Sequence, residues 1–197
     1  IDVTEADAAD QAMLAAIKNF GGLDILVSNA GAAHAGPMLS ISNDELRSAF
    51  ELNFFSHYSF STAAAKILKN QNRGGQILFN ISKQAVNPGK NFGAYGLPKA
   101  TTFFLMRQLA LELGSDGIRV NGVNADRIRS GLLTDDFISS RAKSRGVSES
   151  EYMAGNLLGK EVTAEHVADA FTSLACAEST TGHVMTVDGG NVEASLR

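Results

Sequence analysis

The sequence holds one cysteine, no tryptophan and three prolines in 197 residues. A lone Cys176 cannot close an internal disulfide, so nothing requires an oxidising compartment, and we expect this residue to be a small buried hydrophobe. Positive charge is not in surplus either: 17 Lys and Arg stand against 21 Asp and Glu, a formal charge of −4. Phosphate backbones demand a concentrated excess of cations, so nucleic acid is not an expected partner. No apolar run nears the roughly 20 residues needed to span a bilayer, and the opening Ile1-Asp2-Val3-Thr4-Glu5 lacks the basic start and apolar stretch of a signal peptide. A cytoplasmic setting without membrane contact is the expectation.

Several reaction chemistries lack their parts. His34, His57, His166 and His183 are scattered, with no HExxH and no cysteine pair, so no metal site is expected. No G-x-S-x-G elbow surrounds Ser82, which disfavours a serine hydrolase. The stretch Gly31-Ala32-Ala33-His34-Ala35-Gly36 is not a phosphate loop, because no Gly-Lys-Ser/Thr follows and Pro37 leads into a loop.

What is present is an ordinary globular composition, 44% hydrophobic and 19% charged. Helix and strand patterns alternate without a linker, which predicts one α/β unit. Thr4 is placed to cap a helix running to about Phe20 and stopped by Gly21-Gly22. Leu23 to Val27 reads as a buried parallel strand. Ser42 and Glu45 have capping-box spacing ahead of a long helix to about Lys69. Gln76–Ile81 is the next strand, Ala94–Leu113 the next helix, and Ile118–Val123 another strand. Arg127 to Lys160 is polar and irregular with two short helices; Thr163 caps a helix to about Ala177, and His183–Val187 is the last strand. Such a chain folds as a doubly wound parallel sheet, whose ligands sit beyond the carboxyl ends of the strands.

The sharpest local signal is Tyr95-Gly96-Leu97-Pro98-Lys99. Spacing of i, i+4 puts the phenol and the ammonium on one helix face, and a cation so placed lowers a neighbouring acid by about 1 to 3 pKa units. Tyr95 could then exchange a proton near neutral pH. Pro98 is comfortable only in a first turn, so the helix is expected to begin near Ala94. Ser82 falls thirteen residues before Tyr95, at the end of a strand. Asn53 interrupts the apolar stripe Leu46, Phe50, His57, Phe60, so its amide must find a buried network or a water. Asn29-Ala30-Gly31 ends the first strand in residues small enough for close backbone approach. Arg127, Arg129, Arg141, Lys143 and Arg145 gather positive charge that serves either an anionic substrate or a solvated surface.

Asp2-Val3, Asn29-Ala30-Gly31, Asn53, Ser82, Tyr95, Lys99, Ile118-Arg119-Val120-Asn121 and Thr181-Gly182 with Asp188-Gly189-Gly190 together resemble, in order and spacing, the short-chain dehydrogenase/reductase family. The resemblance implies a Rossmann-like fold, an NAD or NADP cofactor and a small-molecule substrate. It assigns Tyr95 as acid/base, Lys99 to the lowered phenol pKa and the nicotinamide ribose, Ser82 to the substrate oxygen and Asn53 to a water relay. Asp2 and Val3 are implied against the adenine, and Asn29, Ala30 and Gly31 along the cofactor. More narrowly, Ser82-Lys83-Gln84-Ala85-Val86 with Gly89-Lys90-Asn91, Val123-Asn124-Ala125-Asp126 and Leu158-Gly159-Lys160-Glu161-Val162 are similar to the dehydrogenase part of bifunctional rhamnulose-phosphate aldolase/alcohol dehydrogenases. Those are linked to rhamnose breakdown and lactaldehyde.

The pattern departs in places. Ser28 stands for the usual first Asn, Asn124-Ala125-Asp126 for Pro-Gly, and Pro98 for a small polar residue. No G-x-x-x-G-x-G precedes Asp2, so residues 1–197 are expected to be the C-terminal portion of such a domain, without its first two βα units. That predicts weak cofactor binding by the 197 residues alone and an uncovered edge on the first strand. The Phe-rich helix (Phe50, Phe54, Phe55, Tyr58, Phe60) and the helix bearing Phe103, Phe104, Leu105 and Met106 are apolar on more than one face, so a homo-oligomer, dimer or tetramer, is expected. A non-catalytic assembly domain is the alternative to an enzyme.

Overall fold

In the computed structural model, which describes residues 1–191, four parallel strands lie in the order β1-β2-β3-β4. These are β1 (Ile25–Ser28), β2 (Gly75–Asn80), β3 (Ile118–Ala125) and β4 (Val184–Val187), joined through helices α1 (Ala8–Phe20), α2 (Asn43–Phe50), α3 (Ser56–Gln71), α4 (Gly93–Leu113), α5 (Asp135–Arg145), α6 (Glu149–Met153) and α7 (Ala164–Cys176). The two-residue period of the strands sorts the core onto two faces. Ile77, Phe79, Ile118 and Val120 meet Leu68 of α3 and Met106 and Leu109 of α4. Leu78 and Val123 meet Ala170 and Leu174 of α7 on the other face. Helices on both faces make the sheet doubly wound, as the alternation of patterns predicts.

Polar residues on the α7 face are tied down rather than exposed. Gln76 donates its amide to the Leu174 carbonyl at 2.8 Å, and Asn121 donates to the Thr180 carbonyl at 2.8 Å. Arg119 donates to the Ala177 carbonyl at 2.7 Å, closing the carbonyl end of α7.

Three local expectations are corrected. Thr4 does not cap α1: its hydroxyl and amide donate to Asp2 Oδ1, and the helix starts at Ala8 after Asp7. The strand Leu23–Val27 shifts to β1 and is not buried on both faces, since Ile25 and Val27, on the same face as Leu78, stay exposed at the edge of the sheet. Cys176, at the last position of α7, is exposed rather than buried. The Ser42–Glu45 capping box forms as spaced, with the Glu45 amide donating to Ser42 Oγ at 3.2 Å and the Ser42 amide to Glu45 Oε2 at 2.7 Å.

The helix expected to run unbroken to Lys69 instead passes through a π-helical turn at Glu51–Phe55, between α2 and α3. One residue per turn more than an α-helix reorients the side chains beyond it, and such turns recur at functional sites. Asn53 sits in that turn and is buried.

Candidate active site

The site is assembled where β1, β2 and β3 end. Ser82 follows β2 by two positions, starts a 3₁₀ turn at Lys83–Ala85 and accepts from the Gln84 amide at 3.2 Å. Tyr95 and Lys99 share one face of α4, which begins at Gly93; Pro98 therefore lies within the helix, near its start. Tyr95, Ser82, Lys99 and Asn53 are all buried.

Lys99 is the electrostatic anomaly. The residue is 98% removed from solvent, and the polar partners of its ammonium are the Asn80 carbonyl at 3.0 Å and His57 Nε2 at 3.5 Å. Burial holds the ammonium down at a pKa of about 8, and no carboxylate lies within ion-pair distance of it among the described residues. An ammonium has three donors, so one remains for a ligand. His57 is buried beside it, its Nδ1 2.6 Å from Ser28 Oγ. Burial, and next the Lys99 charge, hold His57 at about 3, so it is neutral.

The expected lowering of the Tyr95 phenol does not occur here. Burial raises its pKa, a hydrogen bond with Ser82 works the other way, and the Lys99 ammonium sits 5.8 Å from the ring centroid. Desolvation outweighs the cation because Lys99 spends its donors on the Asn80 carbonyl and His57 instead of the phenol. Tyr95 is therefore a protonated acid beside Ser82.

Asn53 reaches a backbone network rather than an apolar gap. Its amide nitrogen donates to the carbonyls of Ala32 at 2.9 Å and Ala49 at 3.1 Å, its oxygen accepts from the Ala32 amide at 3.3 Å, and its own carbonyl accepts from Thr102 Oγ1 at 2.7 Å. The loop after β1 is thereby pinned to the π turn. Gly31 is required in that loop, because a Cβ there would meet Asn53 Oδ1 at 2.8 Å and Lys99 Nζ at 3.5 Å. Asn29 accepts from Asn80 at 2.7 Å, linking the ends of β1 and β2.

Two cavities meet at Tyr95. One, about 360 Å³, is lined by Ser82, Tyr95, Lys83, Arg127, Phe92 and Arg141. The other, about 580 Å³, is lined by Tyr95, Lys99, Asn29, Gly31, Val27 and Ile128. Ala30, between Asn29 and Gly31 in the chain, lines neither cavity, and its backbone lies against His57. Asp2 and Val3 precede α1 and line neither cavity.

Three features escaped the sequence. His57, Ser28 and Asn80 hold the lysine from below; the only signal was the histidine in the apolar stripe. Asp126 is buried against Lys83 Nζ at 2.8 Å, Arg127 Nε at 3.5 Å and Asn191 Nδ2 at 2.5 Å, tying the ends of β2 and β3 together. Arg127 takes up a left-handed backbone at φ 51°, a strained choice for a non-glycine, and donates to the Tyr152 carbonyl at 2.6 Å. The last pins the loop after β3 onto α6.

A doubly wound parallel sheet carrying a buried Ser-Tyr-Lys group at the carboxyl ends of its strands, between two cavities, is the frame of a dinucleotide-linked oxidoreductase. Comparison with known proteins supplies the family. A family model described as Enoyl-(Acyl carrier protein) reductase matches residues 1–191. The uncharacterized oxidoreductase YuxG of Bacillus subtilis is 35% identical over the whole chain, which spans 30% of that relative. L-Rhamnose 1-dehydrogenase (NAD(P)(+)) of Sphingomonas sp. is 31% identical over 96% of the chain and 73% of its own length. The crystal structure of acetoin dehydrogenase from Enterobacter cloacae superposes with a TM-score of 0.83 at 27% identity, covering 99% of this chain and 74% of that one. The chain belongs to the short-chain dehydrogenase/reductase family.

Proposed function

We propose that the protein carrying this chain moves a hydride between a small alcohol or carbonyl compound and NAD or NADP, with Tyr95 carrying the proton. One observation bears most of the weight: Lys99, an ammonium buried without a carboxylate, stands one helical turn from a buried phenol at the wall between two cavities. Burying an unpaired charge costs several kcal/mol, roughly, after relaxation. A domain serving only for assembly gains nothing from that cost, whereas a cofactor-binding site gains a directed donor.

The residues present suit a nicotinamide cofactor. The larger cavity offers the spare Lys99 donor beside a loop kept small by Gly31, and Asn29 lines the same cavity; Ala30 is assigned to the cofactor on the family pattern alone. Asp2 and Val3, which line neither cavity, are assigned to the adenine on the family pattern alone. When bound, the cofactor supplies the hydride acceptor for oxidation and the donor for reduction. In oxidation, Tyr95 as phenolate takes the hydroxyl proton while the carbinol C–H bond gives up its electron pair; in reduction, the phenol returns that proton to the carbonyl oxygen. Ser82 holds the substrate oxygen against Tyr95. Lys99 holds the ribose through its spare donor. Asn53 fixes the Ala32 backbone and serves the water relay.

The narrower likeness to the bifunctional rhamnulose-phosphate aldolase/alcohol dehydrogenases suggests lactaldehyde or a related sugar-breakdown product. A relative aligned with the whole chain yet more than three times as long suits a dehydrogenase unit within a larger protein. The test is turnover by the full-length protein with NAD or NADP and a panel of lactaldehyde, 1,2-propanediol, 2,3-butanediol and acetoin, read by the absorbance of reduced nicotinamide. Cofactor-dependent turnover of at least one pair is expected, and silence across a broad panel of small alcohols and carbonyls overturns the reading.

Assembly is proposed as a dimer or tetramer through the end of the π turn, α3 and α4, whose Phe55, Tyr58, Phe104 and Leu111 are exposed. Light scattering at high micromolar concentration should give a multiple of the subunit mass. A monomer mass there ends this proposal.

A further inference from the structure

The smaller cavity is cationic in a way that hydride chemistry does not explain. Lys83, Lys90, Arg127, Arg141 and Arg145 all line it, and Asp126 is the one carboxylate among the lining residues. Asp126 is occupied by Lys83 and Arg127. Lys90, Arg141 and Arg145 have no carboxylate within ion-pair distance among the described residues. The two arginines are held instead by aromatic faces, Arg141 5.6 Å from the Phe92 centroid and Arg145 5.2 Å from that of Tyr152. Stacking orients a guanidinium while leaving its fork of donors free. Arg141 carries a second mark: its Nε is buried without a hydrogen-bond partner. A buried, unpaired charged donor is costly unless something else completes it.

The alternative reading of this basic segment as a solvated surface holds for part of it. Arg129 pairs with Glu161 at 2.7 Å and Asp135 at 2.6 Å, and Lys143 is exposed and lines neither cavity. The sequence could not separate these residues, because one helical turn of α5 sends Arg141 and Arg145 to the cavity side and Lys143 away from it.

We infer that the substrate of this site bears an anionic group, a carboxylate or phosphate, which Arg141 and Arg145 hold while Ser82 and Tyr95 engage its hydroxyl or carbonyl oxygen. The inference rests on the oxidoreductase reading but departs from its lactaldehyde suggestion, favouring small hydroxy acids or phosphorylated alcohols over neutral sugar-breakdown products. About 360 Å³ is at the small end for ligand sites, which limits the compound to a few carbons. The reaction itself is unchanged: a carbinol carbon loses a hydride to the cofactor and its oxygen loses a proton through Tyr95.

The experiment compares matched probes on the full-length protein, by calorimetric binding and by cofactor reduction. Lactate supplies the carboxylate arm and glycerol 3-phosphate the phosphate arm; 1,2-propanediol and glycerol are the neutral counterparts. At least one anion should bind tenfold or more tightly than its neutral counterpart, and that advantage should shrink as salt is raised. Arg141→Gln with Arg145→Gln should bring the ratio near one, while Lys143→Gln should leave it unchanged. Equal or weaker binding of both anions by the unaltered protein overturns the inference without relying on any variant, and so does an advantage that survives a folded double variant. If neutral alcohols reduce the cofactor and anions do not, the anionic substrate is excluded and the oxidoreductase stands. If an anion binds preferentially but no alcohol reduces either cofactor, the anion site stands and the oxidoreductase reading falls.

Discussion

Tyr95→Phe in the full-length protein should lower kcat by about 10²- to 10⁴-fold, the span that a positioned acid or base contributes, and leave cofactor affinity nearly unchanged. Phe fills the same buried volume, so the packing around the start of α4 survives, and the only chemical loss is the phenol oxygen beside Ser82. Because burial raises the phenol's pKa, Tyr95 is protonated across the neutral range and ready to donate. Reduction of a carbonyl therefore needs no prior ionisation, whereas oxidation of an alcohol must first produce the phenolate. The rate of oxidation by the unaltered protein should accordingly rise with pH over the neutral to alkaline range, and reduction should not. Steady-state kinetics in both directions, with cofactor binding measured separately, check this. A Tyr95→Phe protein that keeps most of its turnover removes Tyr95 from the mechanism.

Much of this arrangement was legible in the chain. The alternation of elements sufficed for the sheet because β1 and β2 carry short apolar runs, β3 alternates apolar and polar positions, and helix patterns lie between the strands. Tyr95, Lys99 and Ser82 were legible because their positions follow from local geometry, a single helical turn and a strand end. Asn53 was legible as an exception in an apolar stripe, although the π turn that presents it was not: an i→i+5 turn leaves no mark in residue periodicity. The partners of Lys99 were not legible. His57 and Asn80 come from α3 and β2, 42 and 19 residues away, and only the fold brings them to one nitrogen. The Asp126 network spans 43 residues to Lys83 and 65 to Asn191, beyond any local rule. The sign of the Tyr95 shift failed for the same reason. Spacing showed a cation nearby but not the dryness of the site, and dryness dominates.

The Lys99–His57 pair makes a second large prediction, in stability as well as rate. Lys99→Met should cut activity by roughly 10²- to 10³-fold, the usual loss when one preorganised donor is removed from a developing negative charge. Its effect on stability depends on pH in a direction fixed by linkage. The folded ammonium titrates at about 8 against 10.5 for an unfolded lysine. Between those values the unfolded chain binds the extra proton, so this group's contribution to stability rises with pH there, and its full cost is present below pH 8. From pH 7 to 9.5 the unaltered protein should gain about 2 kcal/mol relative to Lys99→Met. His57 acts at the other end. It stays neutral in the fold down to about 3, against 6.5 unfolded. As the pH drops through that window the unfolded chain takes up a proton that the native one refuses, costing about 2 kcal/mol between pH 7 and 5. His57→Gln should flatten that acid limb, and Lys99→Met should shallow it, because the lysine charge is the second cause of the depressed histidine. Chemical denaturation of the three proteins at pH 5, 7 and 9.5 measures both limbs. Parallel stability curves for the unaltered protein and Lys99→Met would mean that the ammonium is hydrated in solution. The buried charge on which the proposed site is built would then be gone.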